Sequence, residues 1–184
     1  FMRYRGDNGV GAFGISCYYM PFVFMVGNAI AQSAQPIISY NYGIANHERV
    51  TEAEKISLKT AVLSGLLAMM FFVLMPKVMV GLFLDTTTQT AELAISGLPY
   101  FATGFVFFIV NLSAIGYFQS IENVKAATIF ALLRGFVFLI PVFWIMPQVF
   151  GVVGIWLSMP VSELATMLLI SIYFVWMKNR RQVF

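Results

Sequence analysis

Two ionisable residues, Arg134 and Glu163, lie inside long apolar stretches of the sequence. Glu163 precedes Met177, the end of its stretch, by about 21 Å of helix rise. A carboxyl group at that depth in a membrane must be protonated, paired with a cation or in contact with water. Arg134 lies about 13 Å beyond Lys125, so its side chain can reach the membrane surface or pair with Glu163. The two residues therefore allow proton transfer, cation binding or a structural ion pair.

A polar stripe follows one face of the segment 27–43, GNAIAQSAQPIISYNYG. Its members recur three or four residues apart: Asn28, Gln32, Gln35, Ser39 and Tyr42. At about 100° per residue they fall within an arc of about 80° on a helix. Towards the N-terminus the same face continues through Met25, Pro21 and Cys17. Because lipid cannot satisfy amide groups, the stripe must face protein or water. It either joins helices or lines a path for a solute.

Further along the chain, Asn111 is the deepest strongly polar residue of an uncharged stretch that ends near Gln119. We interpret Asn111 and Gln119, together with the stripe, as residues that line a cavity. The 11 methionines and 19 phenylalanines allow an adaptable apolar pocket. Such side chains more often pack in a core or contact lipid.

The composition identifies an integral membrane protein, because 60% of the residues are hydrophobic and only 10% are charged. The single cysteine excludes a disulfide within the chain, and the single histidine, His47, lies in a polar connection. No cofactor, metal site or nucleic-acid partner is predicted. No motif for an acyl-transfer nucleophile, a zinc protease or a phosphate loop occurs, so we predict that the protein is not an enzyme.

Hydrophobic runs predict five membrane-spanning helices in an all-α fold. Their approximate ranges are 9–42, 60–76, 89–119, 126–146 and 152–177. Between the second and third spans, residues 77–84 read as a short interfacial segment. Asn46, or Thr51 together with Glu54, is expected to cap the start of the second helix.

The basic residues of the connections give the predicted orientation, since cytosolic loops are enriched in Lys and Arg. One side carries Arg49, Lys55, Lys59, Lys125, Arg134, Lys178, Arg180 and Arg181, and the other carries Arg3, Arg5 and Lys77. The first side is predicted to be cytosolic, which puts the N-terminus of this chain outside and the C-terminus inside. The sequence begins with Phe1 and enters a span after few residues, so we expect further sequence upstream.

Three blocks of the chain resemble the multidrug and toxic compound extrusion (MATE) family. They are QPIISYNYG (35–43), ALLRGFVFLIP (131–141) and GVVGIWLSMPVSE (151–163). The resemblance implies twelve helices in two six-helix lobes around a central cavity that opens alternately to the two membrane faces. Residues 1–184 would form most of the C-terminal lobe, with the N-terminal lobe and one preceding helix missing. It also implies a multi-pass protein of the bacterial inner membrane that exports organic, often cationic, small molecules in exchange for protons or sodium ions.

The family pattern leaves the coupling ion open. Many members carry an ion-binding acid in the N-terminal lobe, and some sodium-coupled members carry another in the helix corresponding to the third span. Here that span contains Asn111, Tyr117 and Gln119 but no acid beyond Glu92 in its first turn, so a sodium site of that type is not expected. The alternatives are a flippase of lipid-linked sugars from the same superfamily and a structural membrane subunit.

Overall fold

The computed structural model describes residues 2–181, in which helices are joined by short turns and no strand occurs, and this confirms the predicted all-α class. The elements are α1 (Met2–Gly43), α2 (His47–Leu74), α3 (Pro76–Gly81), α4 (Gln89–Ala102), α5 (Gly104–Ser120), α6 (Val124–Leu132), a π-helical segment (Leu133–Val137) and α7 (Leu139–Arg181). The side chains of Arg3, Arg5, Lys178, Arg180 and Arg181, which enter the charge count above, lie outside the described ones.

Three continuous helical stretches are long and apolar enough to cross a membrane: Gly6–Gly43, His47–Leu74 and Val124–Met177. Helices α4 and α5 together form a fourth, which bends by 43° at Thr103. The break lies beyond Pro99 of α4, where Gly104 packs against Met159 and Pro160 of α7. The protein is therefore a multi-pass membrane protein.

Helix α7 is a hairpin rather than one straight rod. It breaks at Gly151, whose φ of 59° and ψ of −134° are compatible with glycine. Just beyond the break, Gly154 packs so closely on the Met146 carbonyl that a β-carbon there would lie 2.1 Å from the oxygen. The arms 139–150 and 152–181 therefore run back along each other. By length and composition the described residues give three membrane-spanning helices, or four with the bent pair, and the division into five spans with the predicted ranges stays a prediction.

Helix α5 lies at the centre of the bundle and packs against α1, α2 and α7. Small residues allow the backbones to approach, as is common between membrane helices. A β-carbon on Gly65 of α2 would lie 2.7 Å from Val106 Cα, and one on Gly116 would lie 2.8 Å from Ala31 Cβ of α1. Large buried rings such as Phe105 and Phe118 fill the remaining space. The central position of α5 brings Asn111 next to α7.

The helix ends follow local sequence signals. Asn46 caps α2 by accepting a hydrogen bond from the Arg49 N–H, so the first of the two predicted caps is correct. The segment 77–84, for which an interfacial position stays a prediction, begins within the short helix α3, whose Met79 carbonyl accepts a hydrogen bond from the buried Tyr19 hydroxyl. In the connection to α4, the backbone N–H and hydroxyl of Thr87 donate to Asp85 and lower the pKa of that carboxyl.

Candidate functional site

Arg134 and Glu163 form an ion pair inside the bundle. The Arg134 Nε lies 2.8 Å from Glu163 Oε1 and 3.0 Å from Oε2, so one N–H faces both carboxylate oxygens. The side chains are only 14% and 6% exposed, respectively. Two roles were predicted for Arg134. In the structure its side chain contacts Glu163 and does not extend to the membrane surface.

Asn111 completes the cluster from the third span. Its Nδ2 donates to Glu163 Oε2 at 2.8 Å and to the Glu163 backbone carbonyl at 2.9 Å. The Asn111 side chain is fully buried, and its Oδ1 has no hydrogen-bond partner among residues 2–181. A buried acceptor without a donor is uncommon in folded proteins. The cluster thus contains one carboxylate, one guanidinium and one unpaired hydrogen-bond acceptor, Asn111 Oδ1.

Two local irregularities of the backbone bring these side chains together. Arg134 lies in the π-helical segment, where the Phe138 N–H donates to the Leu133 carbonyl five residues earlier. Such a bulge changes the direction of neighbouring side chains and often occurs at functional sites. The break at Gly151 then returns the chain, so that Glu163 lies at the level of Arg134. In one straight helix the two would be about 43 Å apart.

A cavity of about 400 Å³ opens beside the ion pair. Arg134, Glu163 and Cys17 contribute its polar groups, and Phe108 supplies a ring face 3.9 Å from the Arg134 guanidinium carbon. Apolar side chains make up most of the remaining wall: Phe13, Met20, Phe101, Leu139, Phe143 and Met159. The site is therefore an aromatic cavity with a single internal charge pair.

The polar stripe lies elsewhere. Gln32, Gln35 and Ser39 are exposed, and Asn28 and Tyr42 are half-buried. Within the stripe, the Ser39 hydroxyl donates to the Gln35 carbonyl one turn back. Gln119 is exposed at the end of α5, apart from the cluster. The structure thus unites Asn111, Arg134 and Glu163, while the roles assigned to the stripe and to Gln119 stay predictions.

Sequence reasoning missed the aromatic wall of this site. Phe108 precedes Asn111 by three residues, so helical spacing puts the two on neighbouring faces. With 19 phenylalanines in the chain, nothing in the sequence marks the ring that meets Arg134. Of the residues that continue the stripe face towards the N-terminus, Cys17 lines the cavity.

Relatives of the chain are multidrug exporters. The multidrug export protein MepA of Staphylococcus aureus (strain bovine RF122 / ET3-1) is 28% identical over 175 residues. MepA of Staphylococcus saprophyticus is 26% identical over 179 residues. Each match covers 92% of this chain and 38% of the relative, so the chain spans less than half the length of these proteins.

Solved structures show the same fold. An outward-facing multidrug resistance MATE family transporter of the MOP superfamily superposes with a TM-score of 0.86 at 19% identity, over 99% of this chain and 40% of that one. The MATE multidrug transporter DinF-BH, solved in complex with R6G, gives 0.78 at 28% identity, over 95% and 39%. The family model described as MatE matches residues 1–145, most of the chain. The chain therefore belongs to the MATE family of multidrug efflux transporters.

Proposed function

We propose that this chain forms most of the C-terminal lobe of an exporter that moves organic cations out of the cell in exchange for protons or sodium ions. The observation that carries the proposal is the buried carboxylate of Glu163 at the wall of the cavity, neutralised by Arg134. A cation that binds Glu163 must weaken this pair. Binding of the driving ion therefore changes the contacts between the third, fourth and fifth spans.

Asn111 gives the cluster a way to accept either ion. A proton on Glu163 turns one carboxylate oxygen into a donor, and the vacant Asn111 Oδ1 is an acceptor within the same cluster. For sodium, the same Oδ1 and the carboxylate are both oxygen ligands. Either ion favours the state in which Arg134 is released. An ion that binds one state more tightly shifts the equilibrium between outward-open and inward-open forms.

We base the proposed topology on the number of Lys and Arg residues in the connections on each side. We place the N-terminus of this chain outside, the C-terminus in the cytosol, and the protein in the bacterial inner membrane. The N-terminal lobe would supply the other wall of a central cavity, and the polar stripe from Asn28 to Tyr42 would line the route from the cytosol. A flippase for a lipid-linked pyrophosphate needs free positive charge in the cavity, whereas the guanidinium of Arg134 is already neutralised by Glu163.

Transport in inside-out vesicles tests the proposal. The protein encoded by the complete reading frame is expressed, and ethidium accumulation is followed under an imposed proton gradient and then under a sodium gradient. We expect uptake with one of the two gradients and its loss in Glu163→Gln. The matched control is Glu92→Gln, which changes an exposed acid at the start of α4 and should leave uptake unaltered.

The outcomes separate the alternatives. Uptake that survives Glu163→Gln at equal membrane expression would remove Glu163 from the coupling mechanism. No uptake with either ion would favour the lipid-linked flippase, which is then tested with a fluorescent polyprenyl pyrophosphate sugar in proteoliposomes.

A further inference from the structure

We propose that Arg134 acts as a built-in competitor for the transported cation, occupying the place in the aromatic cavity that a planar organic cation takes when it binds. The inference rests on the proposed function and deepens it. It names the binding site within this lobe, the groups that recognise the cation and the side chain that must leave. It is independent of which ion drives transport.

The contacts of Arg134 are those of a bound aromatic cation. Its guanidinium is planar and positively charged, and it lies over the Phe108 ring with its central carbon 3.9 Å from the ring centroid. Its Nε faces both oxygens of Glu163 at 2.8 and 3.0 Å. A ring face and a carboxylate are the two groups that attract delocalised organic cations. While Arg134 remains in place, its guanidinium occupies both the Phe108 ring face and the Glu163 carboxylate.

The cavity is large enough to hold more than a guanidinium. Its volume of about 400 Å³ is within the range of sites for drug-sized molecules. Three further rings, Phe13, Phe101 and Phe143, lie in its wall, and Met20 and Met159 add flexible, polarisable surface. Because Glu163 is the single acid among the described residues of this wall, the site matches one positive charge on an aromatic body.

The backbone that follows Arg134 is loosely packed. Arg134 lies in the π-helical segment, whose next three residues, Gly135, Phe136 and Val137, are exposed. A β-carbon on Gly135 would meet no atom within 4 Å. On this proposal the Arg134 side chain leaves Glu163 while the loosely packed backbone beside it adjusts. Glu163 itself stays fixed by the two hydrogen bonds from Asn111.

Equilibrium binding to the detergent-purified protein of the complete reading frame tests the competition. Ethidium is the planar cation, and phenanthridine, uncharged at pH 8, is the control with a similar ring system. We expect Arg134→Met to tighten ethidium binding by about tenfold and Glu163→Gln to weaken it by about tenfold. Phe108→Leu should weaken it by about threefold. Phenanthridine affinity should stay within about twofold in Arg134→Met and Glu163→Gln.

Arg134→Lys is a second test in case Arg134→Met does not fold. Lysine keeps the charge but loses the planar fork, so ethidium should bind more tightly than to the unmodified protein and less tightly than to Arg134→Met. Unchanged or weaker ethidium binding in every folded Arg134 variant would overturn the proposal and show that Arg134 is a structural partner of Glu163.

Alkylation of Cys17 locates the ligand. The residue lines the cavity and is exposed, so N-ethylmaleimide should modify it, as read by mass spectrometry of its peptide. Saturating ethidium should slow this modification at least fivefold in Arg134→Met, and far less in Glu163→Gln at the same concentration. Tight binding without protection of Cys17 would put the ligand elsewhere and refute the site. These assays need no ion gradient, so binding that succeeds while gradient-driven uptake fails separates this inference from the proposed function.

Discussion

The polar stripe of α1 and the cluster around Glu163 both put polar groups within membrane-spanning helices, yet their surroundings differ. Gln32, Gln35 and Ser39 are exposed along their flank of α1. Asn111 and Glu163 are both buried, and the Asn111 amide donates a hydrogen bond to the Glu163 carboxylate. Similar residue types thus form an accessible surface in the stripe and an interior network in the Glu163 cluster. The partner helix, rather than the residue type, makes the difference.

The two regions meet on one flank of α1. The face that carries the stripe continues through Met25 and Pro21 to Cys17, and Cys17 lines the cavity next to Arg134 and Glu163. On our proposal, a solute that follows the stripe from the cytosolic end would arrive at the ion pair. The stripe would then hydrate and contact the solute along the route, and the Glu163 cluster would bind it through charge. This division predicts different consequences when each region is altered.

Removing one member of the ion pair should have the largest effect. We expect Arg134→Ala to lower the free energy of unfolding by about 3 kcal/mol, because it leaves a buried carboxylate without its cation. Denaturant unfolding in micelles measures the change. The double variant R134L/E163L should lose less than Arg134→Ala alone, since it removes both charges. Equal losses in the single and double variants would show that packing, not charge, holds the cluster.

The hairpin that returns Glu163 to Arg134 should be the next most sensitive feature. Gly154→Ala introduces a β-carbon 2.1 Å from the Met146 carbonyl oxygen, and we expect a loss of about 2–3 kcal/mol. Gly135→Ala is the matched control, because that position is open, and should change stability by less than about 0.5 kcal/mol. A neutral Gly154→Ala in the same unfolding experiment would contradict the tight return of the chain.

A pair of asparagines compares the two regions directly. Asn111→Leu removes both hydrogen bonds to Glu163 and should cost about 1.5 kcal/mol. Asn28→Leu, on the half-buried margin of the stripe, should cost less than about 0.5 kcal/mol. Thermal unfolding of the two variants side by side gives the comparison. If Asn28→Leu proves as costly as Asn111→Leu, the stripe is an interior network as well.

The sequence was sufficient for the features that depend on local patterns. Apolar runs were sufficient for the all-α membrane class, and Asn46 was one of two candidate caps of α2. The adjacency of the last two spans was sufficient to name the contact between Arg134 and Glu163 as one of the alternatives. The π-helical segment and the bend at Thr103 were not predicted. The bend occurs where Gly104 packs on Met159 and Pro160, and this contact is distant in sequence. The aromatic wall was missed because many phenylalanines satisfy the same periodicity.

The stripe itself should give the smallest change in stability and a separate change in transport. Gln32 and Ser33 are adjacent and both exposed, but they point to different flanks of α1, and Ser33 lines a groove between α1 and α2. Gln32→Ala and Ser33→Ala should each shift the free energy of unfolding by less than about 0.5 kcal/mol.

If the stripe lines the solute route, Gln32→Ala should reduce the rate of ethidium uptake by about threefold in vesicles, while Ser33→Ala leaves it unchanged. A threefold change corresponds to about 0.7 kcal/mol, the scale of one solvent-accessible hydrogen bond. Equal uptake in both variants would favour the other reading of the stripe, in which its polar groups join α1 to a neighbouring helix. The stripe would then differ from the Glu163 cluster only in the partner that covers it.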